Sequence, residues 1–318
     1  MRYPGRRMQI AWIFPGQGAQ HIGMGKELRV ASRAAASVFA AADAALGEDL
    51  SRLILEGPED RLTLTANAQP AIVTVSLAIL AAIRERSPGL PPPSFAAGHS
   101  LGEYSALVAS GALSLEDAVR IVRARGRAMQ EAVPPDVGAM AAVMGVDAGR
   151  LDALCRDCAE GEVVGPANFN APGQIVIAGH AGAVLRVSKR VDAEKGRAVA
   201  LKVSAPFHSA LMQPAARVVE ASLAEIDVRP LAFPVVANFD AKPNRDPTRV
   251  KDLLVRQVDG AVRWEESVRA MRDEGVTHAI EIGPGKVLAG LVRRITKDIR
   301  VHSVSDVASV DALAAFLG

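Results

Sequence analysis

The sequence predicts an α/β protein in which a mostly parallel sheet carries helices on both faces and a smaller unit is inserted into it. Apolar runs alternate with helix-forming stretches up to residue 134 and again after residue 205, which is typical of a parallel sheet. Between them the order changes to βαββαβ, the ferredoxin-like pattern. The 318 residues suffice for one large domain and one small one.

The first part of the chain is assigned from apolar periodicity and turn residues. We predict strands over 9–14 and 94–97 and helices over 31–46, 69–86, 101–109 and 115–133. Pro134 and Pro135 then mark a boundary.

The inserted unit and the last part follow by the same rules. In the inserted unit we predict strands over 138–146, 163–168, 174–179 and 197–203 and helices over 148–160 and 181–195. After Pro206 we predict strands over 233–238, 278–282 and 301–304 and helices over 263–274 and 285–296. We therefore expect a discontinuous large domain, 1–134 and 205–318, and a small domain, 135–204.

Composition excludes several classes of protein. The net charge of +2 gives no reason to expect nucleic acid as a partner. We expect no apolar run of membrane-spanning length, and the run 10–14 is too short for the core of a signal peptide. We expect a cytoplasmic protein. Met1 and Met8 are both candidate start residues. A start at Met8 would make residues 1–7 a disordered lead.

The two cysteines, Cys155 and Cys158, are spaced C-x-x-C. They fall in a predicted helix with no second pair of ligands nearby. We expect two free thiols in a reducing compartment and no metal site.

Residues 98–102, Gly-His-Ser-Leu-Gly, form a Gly-x-Ser-x-Gly pattern between a predicted strand and a predicted helix. In this context the serine projects from a strained turn, and a Cβ on Gly98 or Gly102 would collide with the crossing strand and helix. The amide of Leu101 opens the helix and would face an oxyanion on a substrate attacked by Ser100. We predict that Ser100 is a nucleophile; the alternative is a glycine-rich turn that happens to contain serine.

Arg125 occupies an unexpected position on the helix 115–133. On a helical wheel, an apolar stripe is formed by Ala118, Ile121, Val122, Ala128, Met129 and Ala132, and a polar face by Glu116, Arg120, Arg123, Arg127, Gln130 and Glu131. Arg125 falls in the middle of the apolar stripe. Because an unpaired buried guanidinium costs several kcal/mol, it needs an anion, either an internal carboxylate or a substrate.

A serine nucleophile needs a base. His99 adjoins the serine but should diverge from it, and four further histidines lie in polar loops or at strand ends: His21, His180, His278 and His302. His208 lies in Ala-Pro-Phe-His-Ser, 205–209, a loop leaving the inserted unit. Since such loops present side chains to clefts, His208 is the best candidate.

Two glycine-rich loops fail as nucleotide sites. The loop 14–20 has His21 where a dinucleotide fingerprint needs its third glycine, and the loop 283–286 is followed by Val287 rather than Ser or Thr. The first loop follows a strand, so it could lend an amide to an oxyanion hole.

Taken together, several segments resemble the malonyl-CoA:acyl carrier protein transacylases over nearly the whole chain. These segments are FPGQG at 14–18, GHSLGE at 98–103, RG at 125–126, ANFNAPGQ at 167–174, PFHS at 206–209 and EIGPGK at 281–286. The resemblance implies an α/β-hydrolase-like large domain with a ferredoxin-like insert, in agreement with the predicted elements.

The resemblance also implies a role for each matching residue. Ser100 is similar to the family's nucleophile and His208 to its base. Gln17 and Leu101 resemble the amide donors of the oxyanion hole, and Arg125 resembles the arginine that grips the malonyl carboxylate. The remaining positions are Gln257, whose backbone carbonyl would orient the base; Phe207, which with Leu101 resembles the malonyl-selecting pattern; and Asn168, Asn170 and Gln69, which would lie near the pocket. Asp259-Gly260-Ala261 departs from the usual Tyr-Asn-Pro type of run, which weakens the assignment of Gln257.

The activity implied is transfer of a malonyl group from malonyl-CoA to the phosphopantetheine thiol of an acyl carrier protein, through an ester on Ser100. We expect no permanently bound cofactor, no metal, no nucleic-acid or membrane partner, and a monomer. A thioester hydrolase and a trans-acting loader for a polyketide synthase are the alternatives; a non-catalytic scaffold fits poorly with an intact set of reactive residues. Four basic residues are either part of a carrier-docking patch or a solvated helix face: Arg293, Arg294, Lys297 and Arg300.

Overall fold

A computed structural model describes residues 8–318, and the lead expected over residues 1–7 lies outside the described residues. Over residues 8–318 the chain forms ten strands: β1 (Gln9–Phe14), β2 (Phe95–Gly98), β3 (Gly138–Met144), β4 (Val164–Ala171), β5 (Gln174–His180), β6 (Arg197–Ala200), β7 (Val235–Val236), β8 (Pro243–Asn244), β9 (Val276–Ile282) and β10 (Arg300–Val304).

The same residues form fifteen α-helices and two short 3₁₀ turns. The helices are α1 (Lys26–Ala31), α2 (Arg33–Leu46), α3 (Leu50–Glu56), α4 (Glu59–Thr63), α5 (Thr65–Arg86), α6 (Gly102–Ala109), α7 (Leu115–Glu131), α8 (Ala148–Asp157), α9 (Ala181–Ala193), α10 (Gln213–Ala224), α11 (Val250–Asp259), α12 (Trp264–Asp273), α13 (Val287–Ile295), α14 (Val307–Asp311) and α15 (Leu313–Leu317). The 3₁₀ turns are Ala210–Met212 and Pro247–Arg249.

The larger sheet has six strands in the order β10-β9-β1-β2-β7-β8. Every neighbouring pair is parallel except the last, because β8 returns antiparallel to β7. Buried apolar side chains cover both faces of β1, as a parallel sheet between two layers of helices requires. The predicted α/β class with a mostly parallel sheet is confirmed.

The smaller sheet is antiparallel, with the order β4-β5-β3-β6. Its helices α8 and α9 cover one face and form a separate apolar core with β3 and β5. This is the βαββαβ arrangement predicted from the sequence. The exact division into 1–134, 205–318 and 135–204 stays a prediction.

Helix α5 corrects two expectations. Its 22 residues include an 18-residue window with a mean hydropathy of 1.7, so the chain does contain an apolar run of membrane-spanning length. However, 83% of that window is buried within the protein, where it packs against α2 and α7 as a core helix. The helix also begins four residues before the predicted start, so that Pro70 lies inside it.

Arg123 explains how α5 tolerates this proline. Proline has no N–H to donate to the carbonyl four residues earlier, which here belongs to Ala66. Arg123 Nη1 donates to that carbonyl oxygen at 2.8 Å and also contacts Asn67, while its Nη2 contacts Glu48. The helical wheel placed Arg123 on the exposed face, but its side chain is buried because it satisfies this released carbonyl.

Several predicted boundaries are wrong. The predicted helix 31–46 corresponds to α2, which begins two residues later, at Arg33, because Ser32 ends α1 and its Oγ caps α2 by accepting from the amide of Ala35. The predicted strands 197–203 and 233–238 shorten to β6 and β7, whereas β4 extends to Ala171. Helices α10 and α11 were not predicted, although buried residues at helical spacing mark α11: Val250, Leu253, Leu254, Gln257 and Val258.

The turn between β2 and α6 brings three backbone segments into contact. A Cβ on Gly98 would overlap the backbone of Gly102 and Glu103, and a Cβ on Gly102 would overlap the carbonyl of Phe14 at the end of β1. The predicted need for both glycines is confirmed. Their absence of side chains lets α6 cross directly over the ends of β1 and β2.

Replacing Gly98 by alanine should lower the free energy of unfolding by more than about 3 kcal/mol, because the added methyl meets backbone that cannot move aside. The matched control is Gly290→Ala in the exposed part of α13, where a Cβ meets no atom within 4 Å. That variant should be stabilised by about 0.5–1 kcal/mol through helix propensity. Chemical denaturation of both variants measures the difference, and equal stabilities would contradict the crossing geometry.

Candidate active site

Ser100 lies at the tip of the turn between β2 and α6, in a backbone conformation that few non-glycine residues adopt. Its φ is 51°, in the left-handed region. Asn238 holds this conformation from the turn that follows β7: its Oδ1 accepts from the Ser100 amide at 2.6 Å and its Nδ2 donates to the Gly98 carbonyl at 2.6 Å. The strained turn is therefore clamped on both sides of the serine.

His208 reaches the serine from the loop that follows the inserted unit. Its Nε2 lies 2.7 Å from Ser100 Oγ. Nδ1 lies 2.8 Å from the carbonyl oxygen of Gln257 and 3.2 Å from that of Gly260. Because carbonyls only accept, Nδ1 carries the proton and Nε2 is left as the acceptor for the serine hydroxyl.

The environment of His208 keeps its ring neutral. The side chain is buried, and this burial, assisted by the charge of Arg125, lowers the pKa of His208 to about 3. The orienting groups are backbone carbonyls rather than a carboxylate. The geometry places Gln257 where the resemblance predicted an orienting carbonyl, despite the unusual residues that follow it.

Arg125 points from α7 to the same serine and is 1% exposed. Its Nη2 donates to Ser100 Oγ at 3.1 Å and to Gln257 Oε1 at 3.0 Å, and its Nη1 donates to Gln69 Oε1 at 2.8 Å. Burial lowers the pKa of Arg125, but a guanidinium stays charged in proteins.

No carboxylate lies within salt-bridge distance of this guanidinium among residues 8–318. Its Nε is buried and has no hydrogen-bond partner there. Of the two partners that the sequence left open, an internal carboxylate is thus not observed in direct contact. The cation is instead held by neutral amides beside the nucleophile.

Two backbone amides border the serine on the other side. The amide of Leu101 precedes α6 directly, and that of Gln17 lies in the loop after β1; in the described part of the chain neither donates a hydrogen bond. Gly16 brings this loop against the turn between β2 and α6, since a Cβ on Gly16 would lie 2.6 Å from the His99 carbonyl oxygen. Free donors beside a nucleophile suit an oxyanion.

These groups line a cavity of about 230 Å³ between the two sheets. The larger part of the protein contributes the turn between β2 and α6 together with Gln17, Gln69 and Arg125. The smaller part contributes Met140, Asn168 and residues 201–203. Phe207 also lines this cavity, as expected. Its position between two units is typical of substrate clefts.

Asn170 does not itself line this cavity. Its Oδ1 is 2.8 Å from Nε2 of His99, and His99 lines both the serine's cavity and a neighbouring cavity of about 180 Å³ that Asn170 also lines. The sequence analysis missed two residues that contact the site, Asn238 and Glu103. The available signal for Glu103 was a charged residue in the otherwise uncharged helix α6. The sequence contains no comparable signal for Asn238.

The chain matches the family model described as an acyl transferase domain over residues 11–314. It is 48% identical to the malonyl CoA-acyl carrier protein transacylase of Bacillus subtilis (strain 168) over 306 residues, 95% of each chain. It is similar to the crystal structure of the acyl-carrier-protein-S-malonyltransferase from Bartonella henselae, with a TM-score of 0.94, 47% identity and coverage of 98% and 100%. A further similar structure, with a TM-score of 0.92, 43% identity and coverage of 96% and 98%, is described as a type II PKS acyl-carrier protein in complex with its malonyl-transacylase.

The His208 ring should remain neutral well below the pH at which an ordinary histidine ionises, because charging it would bury a second cation beside Arg125. In ¹³C-histidine NMR, with the resonance assigned by its loss in His208→Gln, the ring shift should stay constant from pH 8 to pH 5. An inflection between pH 6 and pH 7 would contradict this electrostatic environment.

Proposed function

Because this chain belongs to the malonyl CoA-acyl carrier protein transacylase family, we propose that it transfers a malonyl group from malonyl-CoA to the phosphopantetheine thiol of an acyl carrier protein. The observation that carries this proposal is a buried guanidinium, paired only with amides, 3.1 Å from a serine hydroxyl that also contacts a neutral imidazole. Such a site suits an acyl group with a carboxylate at its free end.

In the first half-reaction His208 Nε2 takes the Ser100 proton as Oγ attacks the thioester carbonyl carbon. The new C–O bond pushes an electron pair onto the carbonyl oxygen, and the amides of Gln17 and Leu101 stabilise that oxyanion. One such donor accounts for about 100- to 1000-fold in rate. When the carbonyl re-forms, the C–S bond breaks, His208 protonates the departing sulfur, and CoA leaves as a thiol.

The second half-reaction runs the same steps toward a new thiol. The phosphopantetheine sulfur gives its proton to His208 Nε2 and attacks the ester carbonyl carbon. The ester C–O bond then breaks, and Ser100 Oγ recovers the proton from His208. Between the halves the malonyl group is held as an ester on Ser100, a ping-pong sequence that needs the cleft to exclude water.

Arg125 provides the selectivity for malonyl groups. Its two Nη atoms form a fork that can rotate from the amide oxygens of Gln69 and Gln257 onto a carboxylate. A charge-assisted hydrogen bond contributes about 1.5–3 kcal/mol, roughly twice a neutral one, and an acetyl group cannot form it. A hydrolase for plain acyl groups has no use for this cation.

Further aspects of the proposal rest on the resemblance. Phe207 beside the base favours malonyl over branched extenders, and Asn168 lies near the acyl chain in the same cavity. The enzyme acts in the cytoplasm as a monomer with malonyl-CoA as substrate and no resident cofactor. Fatty-acid and polyketide synthesis use the same chemistry, so both pathways fit.

Ser100→Ala should abolish the covalent intermediate, because among residues 8–318 the only hydroxyl hydrogen-bonded to His208 Nε2 is that of Ser100. Intact-mass spectrometry after mixing with malonyl-CoA should show the malonyl adduct on the wild type and none on the variant. Adding phosphopantetheinylated carrier protein should move the adduct to the carrier. Loss of the adduct to water without carrier loading would instead support the hydrolase.

Arg125→Ala should lower the preference for malonyl-CoA over acetyl-CoA by about 10- to 100-fold, the equivalent of one charge-assisted pair. Arg123→Ala is the matched control, since it removes a buried arginine from the same helix without touching the cleft. The control should lose stability and keep its preference. Competition between the two thioesters measures both, and an unchanged ratio in Arg125→Ala would refute the assignment.

A further inference from the structure

Glu103 is a buried carboxyl group directly behind the serine turn. It lies in the first turn of α6, three residues after Ser100, and is 2% exposed. Among residues 8–318 no lysine, arginine or histidine lies within salt-bridge distance of it. An acidic group at a helix start is favourable in itself, but full burial without a cation needs a further reason.

One oxygen of this carboxyl group accepts two hydrogen bonds from distant parts of the chain. Glu103 Oε2 accepts from Gln257 Nε2 at 2.8 Å and from the Asn238 backbone amide at 2.9 Å. Gln257 lies in α11, and Asn238 follows β7. The two bonds thereby join α6 to both elements.

The orientation of the Gln257 amide follows from these contacts. Its Nε2 donates to Glu103 and to the Ser100 carbonyl at 2.9 Å, which leaves Oε1 to accept from Arg125. The side-chain amide therefore stands between the guanidinium and the carboxyl group. Arg125 and Glu103 therefore contact opposite ends of one amide and do not pair directly.

Both residues held by Glu103 in turn hold a reacting group. The backbone carbonyl of Gln257 receives His208 Nδ1, and the side chain of Asn238 clamps the Ser100 amide. A shift of α11 would turn the imidazole, and a shift of Asn238 would release the strained turn. Misplacing such groups by about 1 Å can cost about 100-fold in rate.

We propose that Glu103 is a positioning residue that aligns Ser100 with His208 by anchoring Asn238 and Gln257 on one carboxyl oxygen. This inference rests on the proposed function for its kinetic consequences, but the alignment itself can be tested without a malonyl substrate. It predicts that the acceptor oxygen at this position matters more than the charge.

Three variants separate acceptor from charge. Glu103→Gln keeps an oxygen that can accept both N–H groups, Glu103→Asp keeps the charge but withdraws the oxygen by one methylene, and Glu103→Ala removes both. The control is Glu281→Ala. Glu281 is also a buried carboxyl group, with bonds to the Leu288 and Ala289 amides and to Ser303, but it contacts none of the reacting residues.

Two assays are run below the Tm of every variant. The first gives kcat and KM with malonyl-CoA. The second gives the rate at which a sulfonyl fluoride labels Ser100, which needs the serine–imidazole alignment alone. We expect Glu103→Ala and Glu103→Asp to lose about 10- to 100-fold in kcat and in labelling rate, with KM within about threefold. Glu103→Gln should recover to within about threefold of the wild type. Glu281→Ala should lower the Tm and keep both rates.

Full labelling of Glu103→Asp with slow labelling of Glu103→Gln would overturn the proposal, because charge would then matter more than the acceptor. Equal rates in all folded variants, or an equal loss in Glu281→Ala, would show a role in stability only. Wild-type labelling without malonyl loading would refute the proposed function, while the labelling series would still decide the role of Glu103.

Discussion

The site depends on one electrostatic constraint, a guanidinium that is buried beside a serine hydroxyl and hydrogen-bonded to two side-chain amides, with no salt bridge to it among residues 8–318. Arg125 reaches this position because α7 lies directly against the start of α5: a Cβ on Gly126 would be 2.6 Å from the Thr65 carbonyl oxygen. The same contact lets Arg123 satisfy the Ala66 carbonyl that Pro70 leaves without a donor. The close approach at Gly126 thus sets the depth at which the Arg125 charge is buried, and the fold keeps that charge available to an anion from outside.

The reacting groups come from distant parts of the sequence. Ser100 lies on the β2–α6 turn, His208 on the loop leaving the smaller sheet, and the orienting carbonyl at the end of α11. Each is fixed by backbone: the serine by a left-handed conformation, the histidine by two carbonyls, and the proposed oxyanion donors by a loop and a helix start. The imidazole is oriented by carbonyls, and among residues 8–318 the cleft is lined by the cationic side chains of Arg125 and Lys202 and by no carboxylate. This arrangement suits a substrate that carries its own carboxylate.

Features set by local sequence could be predicted. The need for glycine in the β2–α6 turn follows from a short motif, and the burial of Arg125 follows from helical periodicity. The βαββαβ unit follows from the order of its elements. What failed depends on distant contacts. A helical wheel places Arg123 on the exposed face, because the wheel shows one helix only and the carbonyl that Arg123 satisfies belongs to another helix. Asn238 and Glu103 act through partners more than 130 residues away, and the start of α5 was missed because Pro70 is tolerated only through Arg123. The roles of Gln17 and Gln257 came from resemblance rather than from their own residue types.

The most direct test of this account is a crystal structure of the enzyme trapped as its malonyl ester on Ser100. The account predicts that the free carboxylate of the ester accepts from both Nη atoms of Arg125, with the amides of Gln69 and Gln257 displaced from the fork, and that the ester carbonyl oxygen faces the amides of Gln17 and Leu101. A carboxylate directed to the mouth of the cleft, with the guanidinium still bonded to both glutamines, would contradict it.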